Sequence, residues 1–288
     1  MNAPFNRCIG LVILDVTMSN PNGDPDMESD PRTIDASGLG LITPVSFKRK
    51  LRDLVGDQSP VFDAASEHLG LNSDSPRKFE ILETRGRNRN QIINLSKDDF
   101  QGTYWDARVF GNTFLESLED SEKDHFIRTG VIQIGVGQSV APVEIERITM
   151  TNKAGVEGDK DRGMAPLAFR VVRHGIYTIP FYVNPSIAQK TGMDTNDLEL
   201  FKFLVPHAYQ HTASAIRPQI TMLHAWFAEH MNPLGSCPDY KLIDTLIPRV
   251  KDDIEQPTNK HNYDIPEKSD IPEAVLDRFN EVIDLCDA

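Results

Sequence analysis

The 288-residue chain has few of the features that identify whole classes of protein. Its three cysteines, Cys8, Cys237 and Cys286, are too few and too widely spaced for a disulfide framework or a zinc knuckle. No apolar run approaches the roughly 20 residues that a membrane-spanning helix needs. The first residues, "MNAPFNRCIG", also lack the basic and apolar regions of a signal peptide. These absences predict a cytoplasmic globular protein with reduced thiols and no membrane partner.

Positive charge is also scarce, because the net charge is −13. This argues at first against a nucleic-acid partner, which needs concentrated Lys and Arg. However, residues 251–288 hold eleven acidic and four basic residues, so about half of the excess lies in this last segment. Three basic segments elsewhere indicate charge placed for phosphate groups. They contain Lys48, Arg49, Lys50 and Arg52, then Arg85, Arg87 and Arg89, and finally Lys153, Lys160 and Arg162.

The sequence lacks the familiar enzyme motifs, although three segments imitate them. "GVGQSV" has Val140 where a dinucleotide-binding fingerprint needs its third glycine. "HAYQH" has Ala208 where the zinc motif H-E-x-x-H needs glutamate. "NPNGDPDMESDPRTID" holds five acidic residues, but a calcium loop with Gly23 at its sixth position would begin at Met18. The dipeptides Asn-Pro, Asn-Gly and Asp-Pro favour a shaped loop there.

The pattern of apolar residues predicts an α+β fold. A buried central strand is predicted for Cys8–Val16, followed by a helix with Thr43 as its N-cap and Pro44 as its first residue. The spacing of apolar residues predicts that this helix places its basic residues on the flanks and back of a buried face formed by Phe47, Leu51, Leu54 and Val55. A long β-hairpin is predicted for about residues 143–183, with its tip at 151–166. Helical spacing continues in "DTNDLELFKFLVPHAYQH", in "IRPQITMLHAWFAEHM" and from Pro272 to Leu285. We therefore predict a ferredoxin-like or RRM-like unit with insertions over residues 1–250 and an acidic C-terminal segment over 251–288.

One long stretch resembles a known family. "LDVTMSNPNGDPDMESDPRTIDASGLGLITPVSFKRKLRD" is similar to the N-terminal signature of the backbone subunit of type I-C CRISPR Cascade complexes, in the Cas-seven family of the RAMP superfamily. The similarity continues in "YWDARVFG", "GVGQSVAPVEIERITMT", "KDRGMAP", "GIYTIPFYVNPSIAQKTGMDTNDLEL" and "HTASAIRP". It covers most of residues 9–245. The sequence departs from the family pattern in Pro44, which replaces the usual aspartate, and in a shorter hairpin tip.

The resemblance implies a non-catalytic RNA-binding scaffold. Its fold would be an RRM-like (ferredoxin-like) palm with inserted subdomains and a thumb-like β-hairpin. Copies would stack along a CRISPR RNA in a helical filament, beside other Cascade subunits, and present the guide for pairing with target DNA. A recruited helicase-nuclease would cut the DNA. The resemblance implies neither a cofactor nor a metal.

The resemblance also implies which residues meet the RNA. Guide phosphates are expected at the basic helix, and the loop before that helix is expected to approach the RNA backbone or an adjacent copy. The arginines of "RGRNRN" and the hairpin tip are further candidates. The expected RNA-binding residues are Asn20, Asn22, Gly23, Lys48, Arg49, Lys50, Arg52, Arg85, Arg87, Arg162 and Met164.

Two alternatives stay open at the level of sequence. Backbone subunits of the related type III complexes cut target RNA with an acidic residue in a loop after the first strand. Asp24, Asp26 and Asp30 in the loop 24–35 therefore allow a metal-dependent endoribonuclease. An ordinary protein-binding module is the third class of function, and it predicts a chain that purifies without RNA.

Overall fold

The computed structural model describes residues 3–56, 59–71, 77–84, 92, 95–113, 127–153, 156–157, 160–161 and 164–287. Within these ranges the helices are α1 (Pro44–Gly56), α2 (Pro60–Leu69), α3 (Lys97–Thr103), α4 (Trp105–Phe110), α5 (Pro185–Thr191), α6 (Thr195–Leu204), α7 (Tyr240–Leu246) and α8 (Glu273–Leu276). The strands are β1 (Cys8–Ser19), β2 (Leu39–Ile42), β3 (Gly111–Thr113), β4 (Ile127–Thr129), β5 (Ile132–Ile134), β6 (Gly137–Pro142), β7 (Ile145–Lys153), β8 (Val156–Glu157), β9 (Lys160–Asp161), β10 (Met164–Val183), β11 (Ile220–His230), β12 (Arg249–Val250), β13 (Tyr263–Asp264) and β14 (Phe279–Asp284). None of these helices has the length and apolar composition needed to span a bilayer.

An antiparallel sheet of eight strands organises the fold. Its main path runs β14-β11-β1-β10-β6-β2, and β5 and β7 also pair with β10. β1 lies between β10 and β11 and is paired along most of its length on both sides. The predicted central position of the first strand is therefore confirmed, as is the mixed α+β class.

Alternate residues of β1 enter two separate cores. Val12, Leu14 and Val16 face the helical layer that contains α1 and α6. Ile9, Leu11 and Ile13 face the opposite side, where the C-terminal part of the chain packs. The continuous apolar sequence of β1 follows from this burial on both faces.

The helix α1 begins and packs as its sequence predicts. Its apolar stripe, Phe47, Leu51, Leu54 and Val55, is buried against the sheet and the neighbouring helices. The later helix α6 begins with a capping box, in which the side chain of Asp194 accepts a hydrogen bond from the backbone N of Asp197.

The predicted hairpin is present, and its outer half stands apart from the rest of the sheet. β7 pairs with β10 from Met164 to Val172, whereas β1 pairs with β10 only from Val172 onward. The outer half is thus a two-stranded ribbon held by its own ladder. Such a ribbon is marginally stable alone, so contacts at its base decide its orientation.

Two predicted helices are strands in the structure. Most of "IRPQITMLHAWFAEHM" forms β11, beside β1, so the prediction of a helix there is wrong. The predicted helix from Pro272 to Leu285 is also wrong, because α8 ends at Leu276 and β14 follows it. β14 pairs with β11 at the edge of the main sheet. The boundary at residue 250 stays a prediction, although residues beyond it contribute to the second core.

Candidate nucleic-acid interface

The loop before α1 fixes the start of this basic helix. The side-chain Oδ1 of Asn22 accepts a hydrogen bond from the backbone N of Thr43 at 2.8 Å. Oγ1 of Thr43 in turn accepts from the backbone N of Ser46 at 3.3 Å. Because these bonds satisfy amides at the helix start, Asn22 positions α1 rather than presenting its amide to solvent.

Lys48 and Arg52 lie on one side of α1, beside the ring of Phe110. The Nζ of Lys48 and the guanidinium carbon of Arg52 are each 5.4 Å from the ring centroid. Nε of Arg52 also donates to Oδ2 of Asp106 at 2.8 Å, and Asp106 is fully buried. Burial lowers the pKa of Lys48, and the charge of Arg52 lowers it further. An anion that approaches Lys48 therefore stabilises its charged form.

An open cavity adjoins this pair of cations. It is lined by Val45, Lys48, Arg52, Glu83, Phe110, Gly111, Asn112, Thr129, Gly130 and Gln133. Two cationic side chains, Lys48 and Arg52, and one acidic residue, Glu83, therefore border the cavity. Asn112 and Gln133 add side-chain amides to its polar lining. Val45 at its edge is 71% exposed, so the face is open to a ligand. Charge and shape suit an extended anionic chain.

Arg49 does not line this cavity, but its Nη1 donates to the backbone oxygen of Glu83, which does, at 3.4 Å. Its Nε lies 2.7 Å from Oδ1 of Asp53, one helical turn away, and its side chain is 49% exposed. A surface pair of this kind is worth only about 0.3–0.5 kcal/mol. The guanidinium of Arg49 is therefore able to exchange Asp53 for a phosphate at little cost.

Lys50 differs from the other basic residues of α1 because it is buried. It is 7% exposed, and its Nζ lies 5.4 Å from the centroid of the Tyr209 ring. The sequence places this lysine on the flank or back of the apolar stripe, and Tyr209 from a later part of the chain packs against it there. Burial lowers its pKa to about 8, and the nearby charge of Arg217 adds to this effect. Within the described parts of the chain, no carboxylate forms an ion pair with its ammonium.

Asn20 and Gly23 hold the shape of the acidic loop. Asn20 is 1% exposed, and its Nδ2 donates to the carbonyls of Ser29 at 2.8 Å and Arg170 at 3.0 Å. A Cβ on Gly23 would lie 3.1 Å from the Ser29 carbonyl oxygen, which is closer than most side chains tolerate. Both residues thus belong to the interior of the loop.

Three of the five acidic residues of this loop, Asp24, Glu28 and Asp30, pair with arginines. Oδ2 of Asp24 accepts from Nη1 of Arg32 at 3.0 Å, and its Oδ1 caps the short helical turn Pro25–Met27. Asp30 binds Nη2 of Arg147 at 2.9 Å and lies 3.3 Å from Nε of Arg170. A hydrogen bond from Arg170 lowers the pKa of Glu28. In the part of the chain that is described, no group of three His, Cys, Asp or Glu side chains has metal-binding geometry.

Asp30 compensates a pair of like charges at the base of the hairpin. Arg147 on β7 and Arg170 on β10 are direct cross-strand partners. Like charges in such positions destabilise a sheet. Asp30 contacts both guanidinium groups and so joins the acidic loop to both strands. This structural role explains the presence of a carboxylate at position 30.

The remaining predicted RNA-binding residues lie outside the described residues or at the outer end of the hairpin. Arg85, Arg87 and Arg162 lie outside the described residues. The backbone of Met164 is described and pairs with Lys153 at the outer end of the hairpin. A role for these four residues in RNA binding stays a prediction.

Three contributors to the interface were not identified from the sequence. Asp106, in "YWDARVFG", anchors Arg52 and also accepts hydrogen bonds from the backbone N of Leu82 at 2.7 Å and of Glu83 at 3.1 Å. Arg217, in "HTASAIRP", donates to the backbone oxygen of Asn20 at 3.0 Å, and Arg170 binds the acidic loop. Both quoted segments carry the family resemblance, and this resemblance is the feature of the sequence that could have identified Asp106 and Arg217.

Comparisons with known proteins identify the family to which this chain belongs. A profile described as "CRISPR-associated protein Cas7" matches residues 6–267. A curated protein of that name from Haloferax volcanii is 26% identical over 214 residues, which is 68% of this chain and 62% of the relative. The chain thus spans less than two thirds of the length of this relative.

Two chains of solved CRISPR complexes were also compared with this chain. A chain of "CRISPR RNA-guided surveillance complex, pre-nicking" gives a TM-score of 0.48 at 12% identity, over 83% of this chain and 81% of that one. A chain of "Cryo-EM structure of the Type III-B Cmr-beta bound to cognate target RNA" gives 0.39 at 9% identity, over 78% and 61%. Because the profile covers nearly the whole sequence, the chain belongs to the Cas7 family of CRISPR-associated proteins.

Proposed function

We propose that this chain is a non-catalytic backbone subunit that binds CRISPR RNA in a type I Cascade complex. The observation that carries this proposal is the cavity beside Lys48 and Arg52, a cationic face in a chain of net charge −13 that belongs to the Cas7 family. Arg49 adds a weakly paired charge on the same helix. These groups suit successive phosphates of a single strand.

We propose a ferredoxin-like palm as the scaffold for this site. A strand, a helix, two strands, a helix and a strand form the core unit, as β1, α1, β6, β10, α6 and β11. Their order in the sheet, β11-β1-β10-β6, is the one expected for a split βαβ arrangement. This order supports an RRM-like palm, with residues 143–183 as a thumb-like hairpin.

The partners follow from the same proposal. Copies of the chain would assemble along the RNA as a helical filament, together with other Cascade subunits. The bound guide would pair with target DNA, and a recruited helicase-nuclease would cut it. The type I-C subtype is part of this proposal and rests on the sequence resemblance.

The ribonuclease alternative receives less support from the geometry. A metal-dependent nuclease needs carboxylate oxygens that are free to bind a cation. Asp24 and Asp30 instead bind Arg32, Arg147 and Arg170. Asp26 is exposed but has no second described carboxylate beside it in a metal-binding group.

RNA binding by the variant Lys48→Gln tests the proposal. The logarithm of the binding constant for a single-stranded RNA falls linearly with the logarithm of salt concentration, with a slope of about −0.7 per phosphate contact. We expect Lys48→Gln to reduce the magnitude of this slope by about 0.7. Lys241→Gln, at an exposed site on α7, is the matched control and should leave it unchanged. Equal slopes for all three proteins would remove Lys48 from the interface.

Cleavage assays separate the scaffold from the nuclease. Purified protein is loaded with a guide RNA and incubated with Mg²⁺ and labelled complementary RNA. The proposal predicts intact RNA. Regularly spaced cuts that disappear in Asp26→Asn or Asp24→Asn would establish the nuclease instead.

A further inference from the structure

The last strand, β14, meets a histidine of its neighbour β11 at the edge of the main sheet. His224 lies on β11, and its Nδ1 is 2.6 Å from Oδ2 of Asp284 on β14. The ring of His224 also stacks on that of Trp226, with the centroids 5.3 Å apart and the planes 21° from parallel. An indole ring and a carboxylate therefore fix the orientation of this imidazole.

The hydrogen bonds of Asp284 assign the proton on Nδ1. Its Oδ1 accepts from the backbone N of Ala225 at 2.8 Å and of Cys286 at 3.0 Å. An ionised carboxylate is an acceptor only, so Nδ1 of His224 is the donor to Oδ2. The two side chains are 14% and 6% exposed, so water competes weakly for this bond.

The other ring nitrogen of His224 faces a different part of the C-terminal segment. Its Nε2 lies 3.9 Å from Oε1 of Glu267, in the loop between β13 and α8. These two atoms are too far apart for a hydrogen bond, but a proton on Nε2 gives the ring a positive charge that attracts the carboxylate. Asp287, after the end of β14, adds a third negative charge. On the other side of β11, the residue of β1 paired with His224 is Ile13, which does not titrate.

We propose that His224 is a pH-sensitive clasp, which in its imidazolium form joins Asp284 on β14 to Glu267 and so holds the C-terminal segment at the edge of the sheet. The neutral form keeps only the bond to Asp284. Both partners belong to residues 251–288, whereas His224 belongs to the sheet that they cover. Neither the clasp nor its test involves RNA.

The pH at which the clasp opens follows from the groups around the ring. The hydrogen bond with Asp284 raises the pKa of His224 above its ordinary 6.5, burial opposes this shift, and the charges of Asp284 and Glu267 add to it. A group whose pKa is raised by folding contributes its stabilisation in full below its unfolded pKa and loses it as the pH rises through its folded pKa. The clasp is therefore closed in mildly acidic solution and open in alkaline solution.

His230, at the other end of β11, does not respond in this pH range. Its Nδ1 accepts from the backbone N of Ser236 at 3.1 Å, and its side chain is fully buried. Burial lowers the pKa of His230, although Asp239 lies nearby. This histidine is therefore mostly neutral above pH 6.5, where His224 loses its proton.

Amide hydrogen exchange of β14 as a function of pH tests the clasp. For the wild-type protein, we expect the protection of these amides to fall about tenfold between about pH 6 and about pH 9, after correction for the intrinsic pH dependence of exchange. An NMR titration of the His224 ring should have its midpoint above pH 6.5, at the pH where half of this loss has occurred. Two different midpoints would overturn the clasp.

Two substitutions distinguish the clasp from a histidine with a purely structural role. In His224→Gln, the amide still donates to Asp284 but takes up no proton, so β14 should stay folded and its protection should not depend on pH. Glu267→Gln should lower the midpoint of the ring titration and reduce the loss of protection. Because Glu267 is 68% exposed, this variant tests the clasp even if His224→Gln does not fold.

His261→Gln is the matched control, since His261 is an exposed histidine of the same C-terminal segment. It should behave as the wild-type protein does. An unchanged pH dependence in His224→Gln and Glu267→Gln would overturn the clasp, as would an equal loss of pH dependence in His261→Gln.

Discussion

At the scale of single residues, Lys50 is the most informative position in the chain. The pKa of this lysine falls from its ordinary 10.5 to about 8, since burial disfavours its charged form. Unfolded chains therefore hold more protons at this site than folded ones between about pH 8 and pH 10.5. Stability gains from this residue as the pH rises through that window, and the cost of the buried charge is present in full below pH 8.

Lys50→Met should therefore stabilise the RNA-free protein at pH 7. The lowered pKa corresponds to a cost of about 3 kcal/mol, part of which is offset by the contact with the Tyr209 ring. We expect a gain of about 1–3 kcal/mol in the free energy of unfolding by urea at pH 7 and a smaller gain at pH 9.5. Lys241→Met is the surface control. A variant that is less stable than wild type at pH 7 would contradict the assignment of Lys50 as a buried charge.

The sequence predicted part of α1 and could not predict the rest. The spacing of Phe47, Leu51, Leu54 and Val55 correctly identified the buried face. The burial of Lys50 depends on Tyr209, which is 159 residues away in the sequence and follows a later helix. Similarly, Arg52 was expected to face solvent and phosphate, whereas the buried Asp106 holds its Nε.

At the scale of elements, the two arginines at the hairpin base yield a prediction for Asp30→Asn. Without this carboxylate, Arg147 loses its ion pair with Asp30 and Arg170 keeps only the one with Glu28, so we expect the free energy of unfolding to fall by about 1–2 kcal/mol. Amide hydrogen exchange should accelerate in β7 and in the outer half of β10. Asp26→Asn, in the same loop and exposed, is the control. Unchanged exchange in Asp30→Asn would show that other contacts orient the hairpin.

The apolar patterns of β11 and β14 indicated helices for different physical reasons. β11 is buried on both faces along Ala225–Ala228, so its residues do not alternate between apolar and polar. In β14, the pairing skips Asn280 between Phe279 and Glu281, which is a β-bulge. The bulge lets Phe279 and Val282 both face the core although they are three residues apart, a spacing that is typical of a helix.

At the scale of the whole molecule, the C-terminal segment acts as the cover of one face of the sheet. Tyr263, Ile271, Phe279 and Val282 pack on the side of β1 that carries Ile9 and Leu11. A chain that ends at residue 250 should therefore expose this face and fail to unfold cooperatively on heating. The sequence-based boundary at 250 predicts the opposite. A soluble truncated chain with a single sharp calorimetric transition would support the boundary and contradict the packing argument.

Because the salt bridges lie at the base of a long hairpin, a small change in their geometry produces a large movement at the far end of the hairpin. The nine residues of β7 reach roughly 30 Å at about 3.4 Å per residue, so a tilt of about 5° at the base displaces the far end by roughly 3 Å. The base of the hairpin, where such a tilt would occur, contains the ion pairs of Asp30 with Arg147 and Arg170. If copies of the chain repeat along an RNA, as proposed above, the same small tilt recurs in every copy, so its effect grows with the number of copies.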